Sequence, residues 1–306
     1  MFDVLTNWVL STYGEWIAAY RSLSPLVRGC LQPLVFGVAW LIPIWVLERL
    51  SGGGSRYLSR GFAQDLAYWF WHSSGLYGFL FTASLLHFLQ PHLAIFELKL
   101  LQDLPYIVRG IVFYFIAEFI AYWYHRWQHS NRFLWAFHTT HHTQEHPNFA
   151  TFNRFHPIDE FLMDMIPFIP ILMLGATIKD WFPLFFIHRW LVIAQHSDIR
   201  WRFGPLRYFF VTPHFHSFHH SVDDVHHNRN FGATLSLWDH IFGTAVDAPS
   251  RPTEYGLKQV KMPTLASTVL TPFRLLYETY GPKKTYGPEI QDAEKEEEPK
   301  ALAAGQ

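Results

Sequence analysis

Long stretches without charged side chains dominate the first 125 residues of this chain. Residues 31–47 and 66–96 contain no Asp, Glu, Lys or Arg, and residues 110–124 contain only Glu118. A helix needs about 17–20 apolar residues to cross the hydrocarbon of a bilayer. The pattern therefore predicts membrane spans over residues 30–48, 64–89 and 106–124. Residues 1–25 are rich in Trp and Tyr, and they predict an interfacial helix or a short helix packed on the bundle.

Two shorter apolar runs, residues 161–178 and 181–195, follow the main spans. Prolines interrupt both runs, which is tolerated where helices pack inside a membrane bundle. The runs predict a second helical hairpin that either crosses the membrane or re-enters it. We expect an all-α integral membrane protein with about four transmembrane helices in two hairpins, capped by a cytosolic helical domain rich in histidine.

Charge distribution gives the orientation and the domain division. Arginines concentrate on the side that holds loop 49–61 and the histidines, so the positive-inside rule places the histidines in the cytoplasm. We divide the chain into a membrane region (1–105), a domain that contains most of the histidines (106–250) and a C-terminal segment (251–306). From about residue 281 the composition is that of a disordered, solvated tail. The net charge of −1 gives no basic field for nucleic acid.

Histidine is the compositional anomaly, with 19 residues, whereas the single cysteine, Cys30, allows no intrachain disulfide and no CxxC metal site. The histidines form an HxxxH group and two HxxHH groups. Their members are His125, His129, His138, His141, His142, His216, His219 and His220. At about 100° per residue, the HxxxH pair shares one helix face with Glu118. Eight imidazoles exceed the four ligands of a tetrahedral zinc, and they suit two metals with open positions.

The order of these motifs resembles the fatty acid hydroxylase superfamily, which includes sterol desaturases. The resemblance rests on YWYHRWQH, FHTTHH, FNRFHP, TPHFHSFHH and LWDHIFGT, and it covers about residues 110–247. It implies that the eight histidines bind two iron ions and that His196, in QHSD, is a further ligand. It also implies that His156 and His240 are either metal ligands or residues that hold a ligand in place by a hydrogen bond. Glu118 is expected to orient a ligand imidazole.

The resemblance implies a di-iron oxygenase that hydroxylates or desaturates a sterol, fatty acyl or related lipid with O₂. No haem or flavin motif occurs, so the electrons are expected from a separate donor: a cytochrome b5, a ferredoxin or a reductase. Two alternatives stay open. One is a metal-binding membrane protein of the same fold without catalysis. The other is a zinc-dependent membrane hydrolase, although the HExxH motif of such enzymes is absent.

Overall fold

The computed structural model describes residues 21–54, 57–74 and 101–281, together with residues 15, 18, 77 and 88. Within these residues the secondary structure is helical, with two isolated β-bridges and no extended strand, which confirms the all-α class. Most of the predicted helix over residues 1–25, half of the predicted span over 64–89 and the predicted tail after residue 281 lie outside the described residues. The α-helices are α1 (Pro25–Leu50), α2 (Arg60–Ser73), α3 (Tyr106–Ser130), α4 (Arg132–His142), α5 (Pro157–Met173), α6 (Ile178–Gln195), α7 (Pro213–His219), α8 (Leu237–Phe242) and α9 (Leu265–Tyr280).

Helix α1 has apolar side chains on two of its faces. Leu41 and Ile44 are buried in a core cluster with Ile193 of α6. Other side chains of the same helix, including Val35 and Ile42, are exposed. A large exposed apolar surface marks a contact with membrane or protein. The helix contains the whole of the predicted span 30–48.

Helix α3 is the centre of the fold and packs mainly against α5 and α6. Among the described residues it is the one helix that is long and apolar enough to cross a membrane. Gly110 lets it approach α6 closely, because a Cβ there would overlap the backbone carbonyl of Asp180. The Asp180 side chain also binds Arg109, with 2.7 Å between Nη2 and Oδ1. These contacts fix α3 against the α5–α6 hairpin.

Asn131 turns the chain sharply between α3 and α4. Its backbone is extended (φ −111°, ψ 116°), and it ends one helix and begins the next. Its Oδ1 accepts hydrogen bonds from the backbone N–H groups of Phe133 and Leu134, at 2.9 and 3.1 Å. An Asn at this position satisfies the free N–H groups of the new helix. The turn folds the first HxxHH motif back onto HxxxH.

A buried ion pair attaches α2 to the loop that follows α4. Arg154 Nε donates to Asp65 Oδ1 at 2.6 Å, and both side chains are at most 1% exposed. The second Asp65 oxygen accepts from Asn148 and Thr151, at 2.7 and 2.9 Å. Such a pair is stable only when its remaining polar atoms are hydrogen-bonded, as they are here. The backbone carbonyl of Arg154 in this loop also contacts His141.

Helix α9 was not anticipated from the sequence. It packs against α4, with Thr268, Thr271 and Leu275 buried. Its other face exposes apolar side chains, among them Leu270 and Phe273. The hydroxyl of Thr140 in α4 donates to the Thr268 carbonyl at 3.0 Å. The helix therefore covers the back of the histidine-bearing α4.

Candidate metal centre

The structure gathers the predicted histidines into two adjoining groups. Within each group the candidate ligand nitrogens all lie within 4.8 Å of one another, and every member is buried. His142 of the larger group stacks on His220 of the smaller, with 4.7 Å between ring centroids. The larger group contains His125, His129, His138, His142 and His219. The smaller group contains His141, His196, His216 and His220.

Each group draws on distant parts of the chain. In the first HxxHH motif, His138 and His142 join the larger group, whereas His141 joins the smaller one. The second HxxHH motif is divided in the same way, because His219 and His220 enter different groups. Neighbouring histidines point to different sides of their helix, so a single motif supplies both groups.

Backbone carbonyls orient four of the rings through Nδ1. The Nδ1 atom of His125 lies 2.9 Å from the Phe231 oxygen, and that of His141 lies 3.2 Å from the Arg154 oxygen. His196 and His219 have similar partners at 2.9 and 2.8 Å. A carbonyl accepts only from a protonated ring nitrogen, so each contact places the proton on Nδ1 and leaves the Nε2 lone pair free.

Asp159 orients a fifth ring and was missed in the sequence analysis. Its Oδ2 accepts from His138 Nδ1 at 2.9 Å, and its Oδ1 accepts from the Gln128 side chain. Asp159 lies in the first turn of α5, where an acidic residue is usually explained by the helix dipole. Asp159 could have been found from the sequence, because it is a charged residue three positions after His156 at the start of a strongly apolar helix.

The Nε2 atoms of each group point toward one another. They are 3.1 Å apart between His125 and His138, and 3.0 Å apart between His216 and His220. Two ligands about 2.1 Å from one ion are separated by about 3.0–3.4 Å, depending on the angle between them. In the larger group, the buried Nε2 atoms of His129, His142 and His219 have no hydrogen-bond partner among the described residues. The donor set fits metal ions.

Burial also keeps these imidazoles neutral. It lowers the pKa of His141, His142 and His220 well below the usual 6.5, and neighbouring histidines lower it further. The pKa values of His216 and His219 are lowered for the same reasons. A neutral imidazole is the metal-binding form, so no proton must be displaced near pH 7.

Three predicted supporting residues lie outside both groups. Glu118 Oε2 accepts from the backbone N–H groups of Thr234 and Leu235, at 2.8 and 3.1 Å, so it holds a loop rather than one of the grouped imidazoles. His156 begins α5, and its Nδ1 accepts from the Ile158 N–H at 3.2 Å. His240 is exposed, with its ring 5.7 Å from that of Tyr208. The sequence motifs that contain Glu118, His156 and His240 did not predict these contacts.

A cavity of about 460 Å³ lies beside the histidines, between α3, α5 and α6. Its volume falls in the range of small-molecule sites. Most of its lining is apolar, with residues such as Phe168, Ile171 and Val192. Members of both histidine groups, including His138 and His141, form one wall. A bound molecule would therefore have a hydrocarbon environment and a direct path to the candidate metal centre.

Comparison with known proteins identifies this part of the chain. Residues 110–244 match the family model described as fatty acid hydroxylase. This part of the chain is therefore similar to the fatty acid hydroxylase family. The match confirms the resemblance seen in the motifs, and the matched range contains every member of both histidine groups.

Three relatives illustrate the range of proteins that this segment is similar to. The ornithine lipid hydroxylase OlsE of Rhizobium tropici is 34% identical over 147 residues, which are 48% of this chain and 43% of the relative. Human alkylglycerol monooxygenase is 30% identical over 46% of this chain and 31% of its own length. Methylsterol monooxygenase 1-3 of Arabidopsis thaliana is 28% identical over 47% of this chain and 50% of its own length. The chain thus spans half or less of these relatives, and no solved structure matches it.

Proposed function

We propose that the chain is a membrane-bound di-iron oxygenase that hydroxylates or desaturates a lipid, with the two histidine groups as ligands of two iron ions. The convergence of nine buried histidines in two groups carries this proposal. A closed structural zinc site takes four ligands, and zinc has no redox chemistry. A hydrolase of the zincin type would also need an acidic general base beside three ligands. The relatives named for lipid hydroxylation and monooxygenation support the oxidative class.

When bound, iron supplies O₂ reduction and hydrogen abstraction from an unactivated C–H bond. Hydroxylation takes up two electrons and two protons, places one oxygen atom in the product and releases one water. Desaturation takes up the same electrons and protons and releases two waters. Both outcomes need an external donor, such as a cytochrome b5, a ferredoxin or a reductase.

The chain's own residues prepare this chemistry. Carbonyl and carboxylate partners, including Asp159, hold the ring protons on Nδ1 and direct Nε2 inward. The apolar cavity orients the lipid against the histidine wall and limits the access of water.

We place the protein in a membrane with several spans and with its histidine groups on the cytoplasmic side. The exposed apolar faces of α1 and α3 and the apolar α5–α6 hairpin support this arrangement of about four spans. Arg200, Arg202 and Arg207 on the histidine side agree with the positive-inside rule. A cytoplasmic centre at the membrane surface is accessible both to a soluble donor and to a lipid that enters sideways.

The decisive experiment combines metal analysis with ¹⁸O₂ labelling. We would purify the chain in mild detergent, load it with iron, and supply bacterial lipid extract with a chemical reductant. About two irons per chain and a lipid that gains ¹⁸O or a double bond are the expected results. Zinc as the only retained metal, with no lipid change after iron loading, would overturn the proposal. It would favour the non-catalytic or hydrolytic alternatives.

A further inference from the structure

Asp239 is the acidic residue of the motif LWDHIFGT, and it lies outside both histidine groups. It belongs to α8 and is fully buried. Its Oδ1 accepts from the Phe231 N–H at 2.7 Å, and its Oδ2 accepts from the Gly232 N–H at 2.8 Å. The Thr244 hydroxyl also donates to Oδ1, at 2.7 Å. Both carboxylate oxygens therefore hold the loop formed by residues 229–235.

One of these hydrogen bonds belongs to a peptide group that also contacts the larger histidine group. The peptide bond between Phe231 and Gly232 presents its N–H to Asp239 Oδ2, and its carbonyl oxygen lies 2.9 Å from His125 Nδ1. A carboxylate bound directly to the second nitrogen of a histidine is a common support of a metal ligand. Here the same pair of groups is present, with one peptide group inserted between them.

The Asp239 carboxylate is charged at neutral pH. Burial raises its pKa to about 6, whereas its hydrogen bonds and the charge of Arg126 lower it. Hydrogen bonds that share a peptide group polarise one another, so the charge of Asp239 makes the Phe231 carbonyl a stronger acceptor. A stronger acceptor at Nδ1 of His125 makes its Nε2 atom a better metal ligand.

The 229–235 loop also orients a second histidine of the larger group. The Arg229 carbonyl oxygen lies 2.8 Å from His219 Nδ1. The N–H of the same peptide group, on Asn230, donates to the Thr244 carbonyl at 3.1 Å. The Asn230 backbone is left-handed (φ 57°), a conformation that Asn tolerates better than most residues. The loop thus supplies carbonyls to two of the five histidines in this group.

A second buried carboxylate fixes the other end of the loop. Glu118 Oε2 accepts from the N–H groups of Thr234 and Leu235, at 2.8 and 3.1 Å. Between the two carboxylates, Gly232 has no room for a side chain, because a Cβ there would lie 2.5 Å from the Leu235 oxygen and 2.9 Å from Asp239 Oδ2. The loop is therefore held at both ends, and its carbonyls are fixed relative to the histidines.

The smaller histidine group is held by other parts of the chain. His141 Nδ1 contacts the Arg154 carbonyl, and His196 Nδ1 contacts the Val192 carbonyl. Neither carbonyl belongs to the 229–235 loop. A change at Asp239 should therefore affect one histidine group and not the other.

We propose that Asp239 is a positioning residue for the larger histidine group, and that it acts on His125 through the peptide group between Phe231 and Gly232. It orients and polarises this imidazole without contacting it. The inference rests on the proposed pair of metal ions, and it adds that the ion in the larger group depends on a carboxylate that the other ion does not need.

Cobalt(II) titration of the metal-free full chain in detergent tests this inference, because cobalt(II) bound by histidine absorbs visible light and requires no turnover. Two reference variants identify the binding events: His129→Ala removes a member of the larger group, and His220→Ala removes a member of the smaller one. In Asp239→Asn, the amide offers one acceptor oxygen for the two loop N–H groups. We expect this variant to weaken the event that His129→Ala impairs by at least about tenfold, and the other event by less than about twofold.

Asp180→Asn is the matched control. This carboxylate is 1% exposed, but it begins α6 and binds Arg109 instead of the 229–235 loop. The control should lower the unfolding temperature and leave both cobalt affinities unchanged. Equal weakening of both events by Asp239→Asn, or unchanged affinities in the folded variant, would overturn the inference.

Thr244→Val serves as the second variant if Asp239→Asn does not fold. It removes one donor to the carboxylate and should weaken the same event alone, by about threefold, since the charge is retained; no selective weakening would also overturn the inference. Two cobalt ions per unsubstituted chain without this selectivity refute the role of Asp239 alone. A single cobalt ion per unsubstituted chain refutes the two-metal proposal, and the role of Asp239 then fails unless Asp239→Asn weakens the binding of that ion.

Discussion

Replacing Asp159 by Asn should weaken iron binding without changing any direct ligand. The Asp159 carboxylate accepts from both His138 and Gln128, and it is 1% exposed. Asn has the same shape, but it offers one acceptor oxygen and no charge, so one of the two donors loses its partner. Loss of a partner that orients a metal ligand typically lowers metal affinity 10- to 100-fold. We therefore expect a loss of about 1.4–2.7 kcal/mol in iron binding.

The assay is competition with a coloured iron chelator, which gives the dissociation constant of each variant. Asp223→Asn is the matched control, because this carboxylate is 60% exposed and the histidine it contacts, His226, is outside both groups. Thermal unfolding of the metal-free protein separates a weakened site from a damaged fold. Iron affinity within twofold of the unsubstituted chain, in a folded Asp159→Asn variant, would refute the idea that this carboxylate supports His138.

Three further substitutions test the site and its frame. His141→Ala should lower iron content and abolish lipid oxidation. His240→Ala should leave iron content unchanged, because its ring is outside both histidine groups. Equal iron contents of the two variants, measured by mass spectrometry, would contradict this prediction. Asp65→Ala should lower stability by about 3–5 kcal/mol because it leaves Arg154 charged and buried; an unchanged unfolding temperature in detergent would contradict it. Gly110→Ala should cost about 1–3 kcal/mol because its methyl group overlaps the backbone of α6. The same unfolding measurement tests this value, and a stabilised variant would show that the two helices are not in close contact.

The ion pair between Asp65 and Arg154 also changes how the charge pattern is interpreted. Arg154 lies in the part of the chain that holds the histidines, but its side chain is buried and neutralised by a carboxylate. It therefore cannot interact with anionic lipid headgroups. Arg200 and Arg202 also contact carboxylates, but their side chains are 55% and 40% exposed. The orientation argument depends on such exposed residues, which the sequence does not distinguish from buried ones.

The sequence by itself predicted the helical class, the resemblance to the fatty acid hydroxylase family and the identity of the clustered histidines. Apolar runs and regularly spaced histidines are local features of the chain. They can therefore be recognised in the sequence without knowledge of the tertiary structure. The three histidine motifs lie within one continuous family match, residues 110–244. His196 entered the ligand set only through its resemblance to the family.

Only the tertiary structure decided how the histidines divide and what holds them. A motif such as HxxHH does not show that His141 and His142 enter different groups, because the division depends on how α4 meets α7. Likewise, the carbonyl of Phe231 and the carboxylate of Asp159 reach their histidines across long intervals of chain. Sequence spacing constrains neighbours on one helix, whereas contacts between helices depend on packing, which is a property of the whole fold.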